Sequence, residues 1–180
     1  MRPRQLGAAL GLIVLCACGG APAPRAGSPS VAGCDRGDGL EADFRPLTPW
    51  TGPGVVDGAL RPGSYTIATT RLQLLTTDES RAHFLAVMAG LGKAVDEAPG
   101  LVGYQIGNSE RCAVTRTLTV WQSEDEMLEF VLGQAHSAAI DAIPKISRGG
   151  SNTARWQGSE ADATWDLAAR KIAMDQGPFY

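Results

Sequence analysis

The chain has 180 residues, 44% of them hydrophobic, and a formal net charge of −3; that is enough for one modest domain with segments to spare. Its 16 basic and 19 acidic residues form no basic stripe, which argues against nucleic acid or an anionic lipid surface as partner. Only two histidines occur, and no close cysteine pair lies beyond the first residues, so no metal site made by protein ligands is expected.

The chain opens with the positive segment Met1-Arg2-Pro3-Arg4-Gln5, followed by an apolar run from Leu6 to Cys16 broken only by Gly7 and Gly11. That run is shorter than the roughly 20 residues that span a hydrocarbon core and fits the apolar region of a signal peptide. Leu15-Cys16-Ala17-Cys18 resembles the bacterial lipobox. The resemblance implies export, removal of residues 1–17, and a lipoprotein whose Cys18 carries palmitate-type acyl chains. Gly19 after that cysteine implies an outer-membrane address. Two or more chains suffice for stable anchoring, where one gives marginal binding. The processed chain would carry 14 basic against 19 acidic residues and two further cysteines, Cys34 and Cys112. In an oxidising compartment these are a disulfide candidate. Against the pairing stands the cost of ordering a tether, about 1–2 kcal/mol per residue.

Residues 18–63 hold seven of the eleven prolines. Up to about Gly39 there is almost no large apolar residue, the composition of a flexible tether. Phe44, Leu47, Trp50, Val55 and Val56 then give the chain something to bury. This stretch is expected to lie on the domain without regular structure.

From Ser64 the pattern becomes regular. Residues 64–75 read as a strand. Thr76 and Glu79 have capping-box spacing ahead of a helix with Phe84, Met88, Leu91 and Val95 on one stripe, which Pro99-Gly100 ends. Residues 101–106 read as a second strand, 107–110 as a turn, and 111–121 as a third strand. Ser123 and Glu126 open a second helix bearing Met127, Phe130 and Val131. Gly133 is expected to bend it, with helix continuing to Pro144. Residues 151–157 read as a fourth strand. A last helix carries Trp165, Ala168, Ala169 and Ile172.

The order is that of an α+β, ferredoxin-like βαββαβ sheet with helices on one face, spanning 64–180 with a C-terminal helix. In the third strand Val114, Leu118 and Val120 alternate with Thr115, Thr117, Thr119 and Trp121, so both faces carry material to bury. Arg116 is the odd member and is expected near the strand's open end. With helices on one face only, the Trp121 face calls for a second copy, hence a homodimer closed into a dimeric α+β barrel.

The segment Thr117-Leu118-Thr119-Val120-Trp121-Gln122-Ser123-Glu124-Asp125-Glu126-Met127, with Phe130-Val131 and Ala135-His136, resembles dimeric α+β barrel proteins of the antibiotic-biosynthesis-monooxygenase type. It is most similar to their spheroidene-monooxygenase-like branch. Pro99-Gly100-Leu101-Val102-Gly103-Tyr104 and Ala163-Thr164-Trp165-Asp166 add to the likeness. The resemblance implies the barrel fold and a cleft for a small hydrophobic ligand or haem. It makes His136 the candidate ligand or proton-transfer residue. Trp121 and Tyr104 are candidate pocket walls, and core packing is the competing role for each. His83 reads as a surface residue. No nucleotide loop or nucleophile elbow occurs. Three functions are open at this point: binding without turnover, a monooxygenase-like reaction using His136, and a structural role in the envelope.

Overall fold

The computed structural model describes Cys34 and residues 39–174. The expected leader, Cys18 and most of the tether lie outside the described residues. Three short strands come first: β1 (Arg45–Pro46), β2 (Val55–Val56) and β3 (Ala59–Leu60). The long elements follow as β4 (Ser64–Gln73), α1 (Asp78–Asp96), β5 (Leu101–Ser109), β6 (Val114–Trp121), α2 (Glu124–Leu132), α3 (Gln134–Ile146), β7 (Asn152–Ser159) and α4 (Trp165–Met174). The main sheet has the order β1-β5-β6-β4-β7, antiparallel throughout. Its four long strands carry the ferredoxin-like arrangement, and the fold is α+β.

Several local expectations need correction. The first helix is capped by Thr77, whose hydroxyl accepts from the Ser80 N–H at 3.2 Å. β5 runs on to Ser109 because Asn108 and Gly107 pair with β1 on one side and with β6 on the other. The turn therefore moves to 110–113, where Asp43 accepts from the Arg111 N–H and the Ser109 hydroxyl. Ser123 caps α2 as expected, accepting from the Glu126 N–H. Gly133 does more than bend the helix: its extended backbone (ψ 159°) separates α2 from α3. Pro144 does not stop α3, which reaches Ile146. The proline deletes one donor in the last turn, but Ser147 still bonds the Ile143 carbonyl at 2.8 Å and Ile146 is buried.

The larger corrections concern the two sheet faces. Residues 40–63 are not irregular. β1 extends the sheet, and β2 and β3 form a hairpin whose turn, Asp57-Gly58, has positive φ at both residues (50° and 79°), the geometry that Asp-Gly favours. The hairpin and Trp50 pack with α4 over Ile67, Leu118, Val120 and Trp156. Gly52 allows the close approach: a Cβ there would stand 2.6 Å from the Gly103 Cα. Each fully buried aliphatic side chain in this layer contributes about 1.5–3 kcal/mol. The opposite face, with Trp121 and the threonine row, is the one that α1, α2 and α3 cover. The sheet face expected to await a second copy is thus covered by the chain itself, and the ground for expecting a dimer through it falls away.

Arg116 is also not at an open end. It is 1% exposed, third in β6, and directly opposite Arg71 of β4. Glu41 reaches in between, accepting from Arg71 Nε at 3.1 Å and from Arg116 Nε and Nη2 at 2.9 and 3.0 Å. Cys34 and Cys112 are joined by a disulfide beside Val114. Cys34, expected in a free tether, is joined to the domain there.

Candidate functional site

The sheet face under the helices presents small side chains: Ala68 and Thr70 on β4, and Thr115, Thr117 and Thr119 on β6. The helices above it present long ones, including Phe84, Met88 and Leu91 on α1 and Ile140 and Ile143 on α3. Short side chains below and a helix layer held off by Trp121 and Met127 leave a cavity of about 680 Å³ between them. The stripe Phe84, Met88, Leu91 and Val95 lines this cavity.

His136, Trp121 and Tyr104 all line the same cavity. Trp121 is buried, and its indole N–H donates to the Thr119 hydroxyl at 2.9 Å. Phe130 links Trp121 and His136, with ring centroids 5.2 Å from Trp121 and 5.6 Å, edge-on, from His136. The Tyr104 hydroxyl donates to Asp96 at 3.0 Å. Burial, with Asp96 beside it, pushes the Tyr104 phenol up from its ordinary value. His136 sits in the first turn of α3, just past the break at Gly133. Burial pushes its imidazole below the ordinary range, only partly offset by the Val131 carbonyl. Nδ1 is buried with no hydrogen-bond partner among the described residues. At neutral pH the ring is therefore an uncharged acceptor in an apolar wall. His83 lies on the exposed side of α1, 3.7 Å from Glu79.

Arg155 and Lys171 also line the cavity, and the sequence reading passed over both. Arg155 faces the site from β7, where it pairs in register with Ala68, and its Nε donates to Glu124 at 2.8 Å. Lys171 stands 5.9 Å over the Trp156 ring. Among the described residues no group of three or more His, Cys, Asp or Glu could hold a metal ion.

No family model matches the chain. No curated protein matches it. Solved structures are similar to it in outline. One is a protein of unknown function from Nitrosomonas europaea, 10% identical, with TM-score 0.45 over 53% of this chain and 89% of that one. Another is a heme-degrading enzyme from Listeria monocytogenes, 16% identical, with TM-score 0.43 over 57% of this chain and 60% of that one. A third is a cofactor-independent oxygenase from Streptomyces nogalater, 13% identical, with TM-score 0.40 over 54% and 91%. The chemistry of the site rests on this chain's own residues.

Proposed function

We propose that this protein binds a small hydrophobic molecule in the cavity between the sheet and α1–α3. The observation that carries the reading is the cavity's size together with its walls. At about 680 Å³, lined mostly by aliphatic and aromatic side chains, it has the size and the walls of a pocket for a small apolar molecule. Water gains little along those apolar walls, because an ordered water needs two to four polar partners. The Thr119 hydroxyl is already used by Trp121 and by the Ala68 carbonyl. An apolar occupant removes those walls from water, worth about 25 cal/mol per Å² of apolar surface buried.

Thr117→Phe tests the reading, since an aromatic suits a strand and grows from β6 into the void. Binding of a neutral apolar fluorophore such as N-phenyl-1-naphthylamine is expected to weaken at least about tenfold, with the thermal midpoint held or raised. Undiminished binding in the filled variant would sink the proposal. One observation favours a second occupant. Haem needs a neutral imidazole in an apolar wall, and His136 offers one with an unpartnered Nδ1. Bound there, haem would supply oxygen chemistry, as a monooxygenase-like reaction requires. A saturable Soret shift on haem titration, abolished by His136→Ala, would assign the cavity to haem.

We further propose that the domain works at the cell envelope as a lipoprotein, anchored through acylated Cys18 to the outer membrane. The lipobox-like Leu15-Cys16-Ala17-Cys18 supports this. No helix among the described residues is long and apolar enough to cross a membrane. Cys18→Ala is expected to leave the detergent phase in Triton X-114 partition. A variant that remains acylated and in detergent would refute the anchor.

A further inference from the structure

The charged groups around the cavity are unevenly placed. Among the described residues, Arg155 and Lys171 are the charged side chains that line it, and no aspartate or glutamate does. Four lining residues are themselves exposed: Ile140 of α3, Thr153 and Arg155 of β7, and Met174 of α4. They place the mouth along the β7 edge, the last strand of the sheet among the described residues. Arg155 stands at that mouth, and Lys171 borders it from α4, its ammonium 5.9 Å from the Trp156 ring. The opposite wall, with Trp121, Phe130 and Leu91, is apolar.

Each cation also has an acidic neighbour outside the lining. Glu124 accepts from Arg155 Nε alone among its nitrogens in the described residues. That single exposed contact leaves the two terminal amines as the planar fork that grips a carboxylate. Asp162 lies near Lys171, but its carboxyl is engaged by the Ser159 N–H and hydroxyl, which hold it below the usual carboxylate range. Both acids stay ionised outside the lining, so among the described residues it is the two cations, not the carboxylates, that border the cavity. Exposed Ile140 and Met174, 42% and 73% accessible, supply an apolar rim that a long chain can slide across. An uncharged ligand would need the apolar walls and rim but not the two cations.

We infer that the occupant is a single-chain amphiphile with an anionic head, a long-chain carboxylate, whose chain fills the cavity and whose head sits between Arg155 and Lys171 at the β7 edge. This rests on the cavity being a binding site, the reading proposed above. The test uses the full-length protein with cis-parinaric acid and its methyl ester as probes. The carboxylate is expected to bind at least about tenfold tighter than the ester, about 1.4 kcal/mol. Arg155→Gln with Lys171→Gln should bring the ratio of the two affinities to about one. In the unmodified protein the ratio should shrink as salt is raised, because the head is at a solvent-open mouth where charges are screened; this arm stands even if the double variant fails to fold. Equal binding of acid and ester, with N-phenyl-1-naphthylamine still bound, overturns the anionic head and leaves the cavity reading intact. A preference for the acid that survives both substitutions also overturns it. Failure of all three probes to bind removes both.

Discussion

Glu41→Gln should destabilise the fold by about 3–5 kcal/mol, the cost of breaking a buried ion pair by removing one partner. The substitution keeps the volume and removes the charge. It would leave Arg71 and Arg116 facing each other across β4 and β6, 5% and 1% exposed, and like charges directly opposite on a sheet repel. Arg116 Nη1 already lacks a partner among the described residues, so no nearby group there takes over. Urea denaturation gives the loss directly. Its pH dependence carries a sign. Burial pushes the Glu41 carboxyl up, but hydrogen bonding and charge from Arg116, with Arg71 behind it, outweigh burial and hold it below the usual 4.5. Stabilisation from Glu41 is then complete above the unfolded glutamate's value and is lost as pH falls through the lower, folded one. The gap between wild type and Glu41→Gln is therefore wide at neutral pH and closes in acid. A gap that stayed constant on acidification would mean that the side chain's shape, not its charge, matters. Replacing all three residues by apolar ones is expected to cost much less than replacing Glu41 alone, because no charge is then stranded.

This triad also shows where the sequence stops being legible. Periodicity exposed the elements that bury one face: the stripe of α1, the alternation in β6, the Ala168, Ala169 and Ile172 face of α4. Each is a local pattern, set by 3.6 or by 2 residues per repeat. Arg116 broke the alternation and was moved to a strand end, since a charge in a core position is costly unless paired. Its partner lay 75 residues away, in a stretch whose prolines argued against order. One signal there was readable. Asp57-Gly58 between Val55-Val56 and Ala59-Leu60 is a hairpin signature, and it would have supplied the cover for the second sheet face. Without it, that cover had to come from a second copy.

The site was legible in part. His136 and Trp121 could be named through the motif they share with the resembled family, Trp121 at the end of the β6 alternation and His136 just past Gly133. Whether Phe84, Met88 and Leu91 fill a core or enclose a void could not. That depends on how far α1 stands from β4 and β6, and the threonines at those strand positions set it only once the layers are assembled. Arg155 belongs to the site through the register that puts it beside Ala68. Lys171 reaches it around the sheet edge from the helix on the other face. No spacing in the chain records either relation.

Reduction of the Cys34–Cys112 disulfide is expected to cost about 2–5 kcal/mol. The bridge spans 78 residues, and closing a loop of that length in the unfolded chain corresponds to about 4–5 kcal/mol in the chain-entropy model. The folded side adds a second contribution. The Cys34 carbonyl accepts from Arg71 Nη2 and the Cys112 carbonyl from Arg148 Nη2, both at 2.9 Å. The bridge thus holds two carbonyls against buried guanidiniums, and one of these is the Arg71 that Glu41 also engages. Released, the Cys34 segment regains about 1–2 kcal/mol of conformational freedom per residue, which draws Glu41 away from the pair of arginines. The two effects should therefore couple. In reduced protein Glu41→Gln is expected to cost less than in oxidised protein, with a coupling of about 0.5–3 kcal/mol, the range for residues that share partners. Urea titrations of both proteins, with and without dithiothreitol, complete the cycle, and alkylation confirms the thiol state. An unfolding midpoint unmoved by verified reduction would show that the bridge constrains nothing the fold depends on. Strict additivity would show that the disulfide and the ion triad hold the N-terminal segment independently.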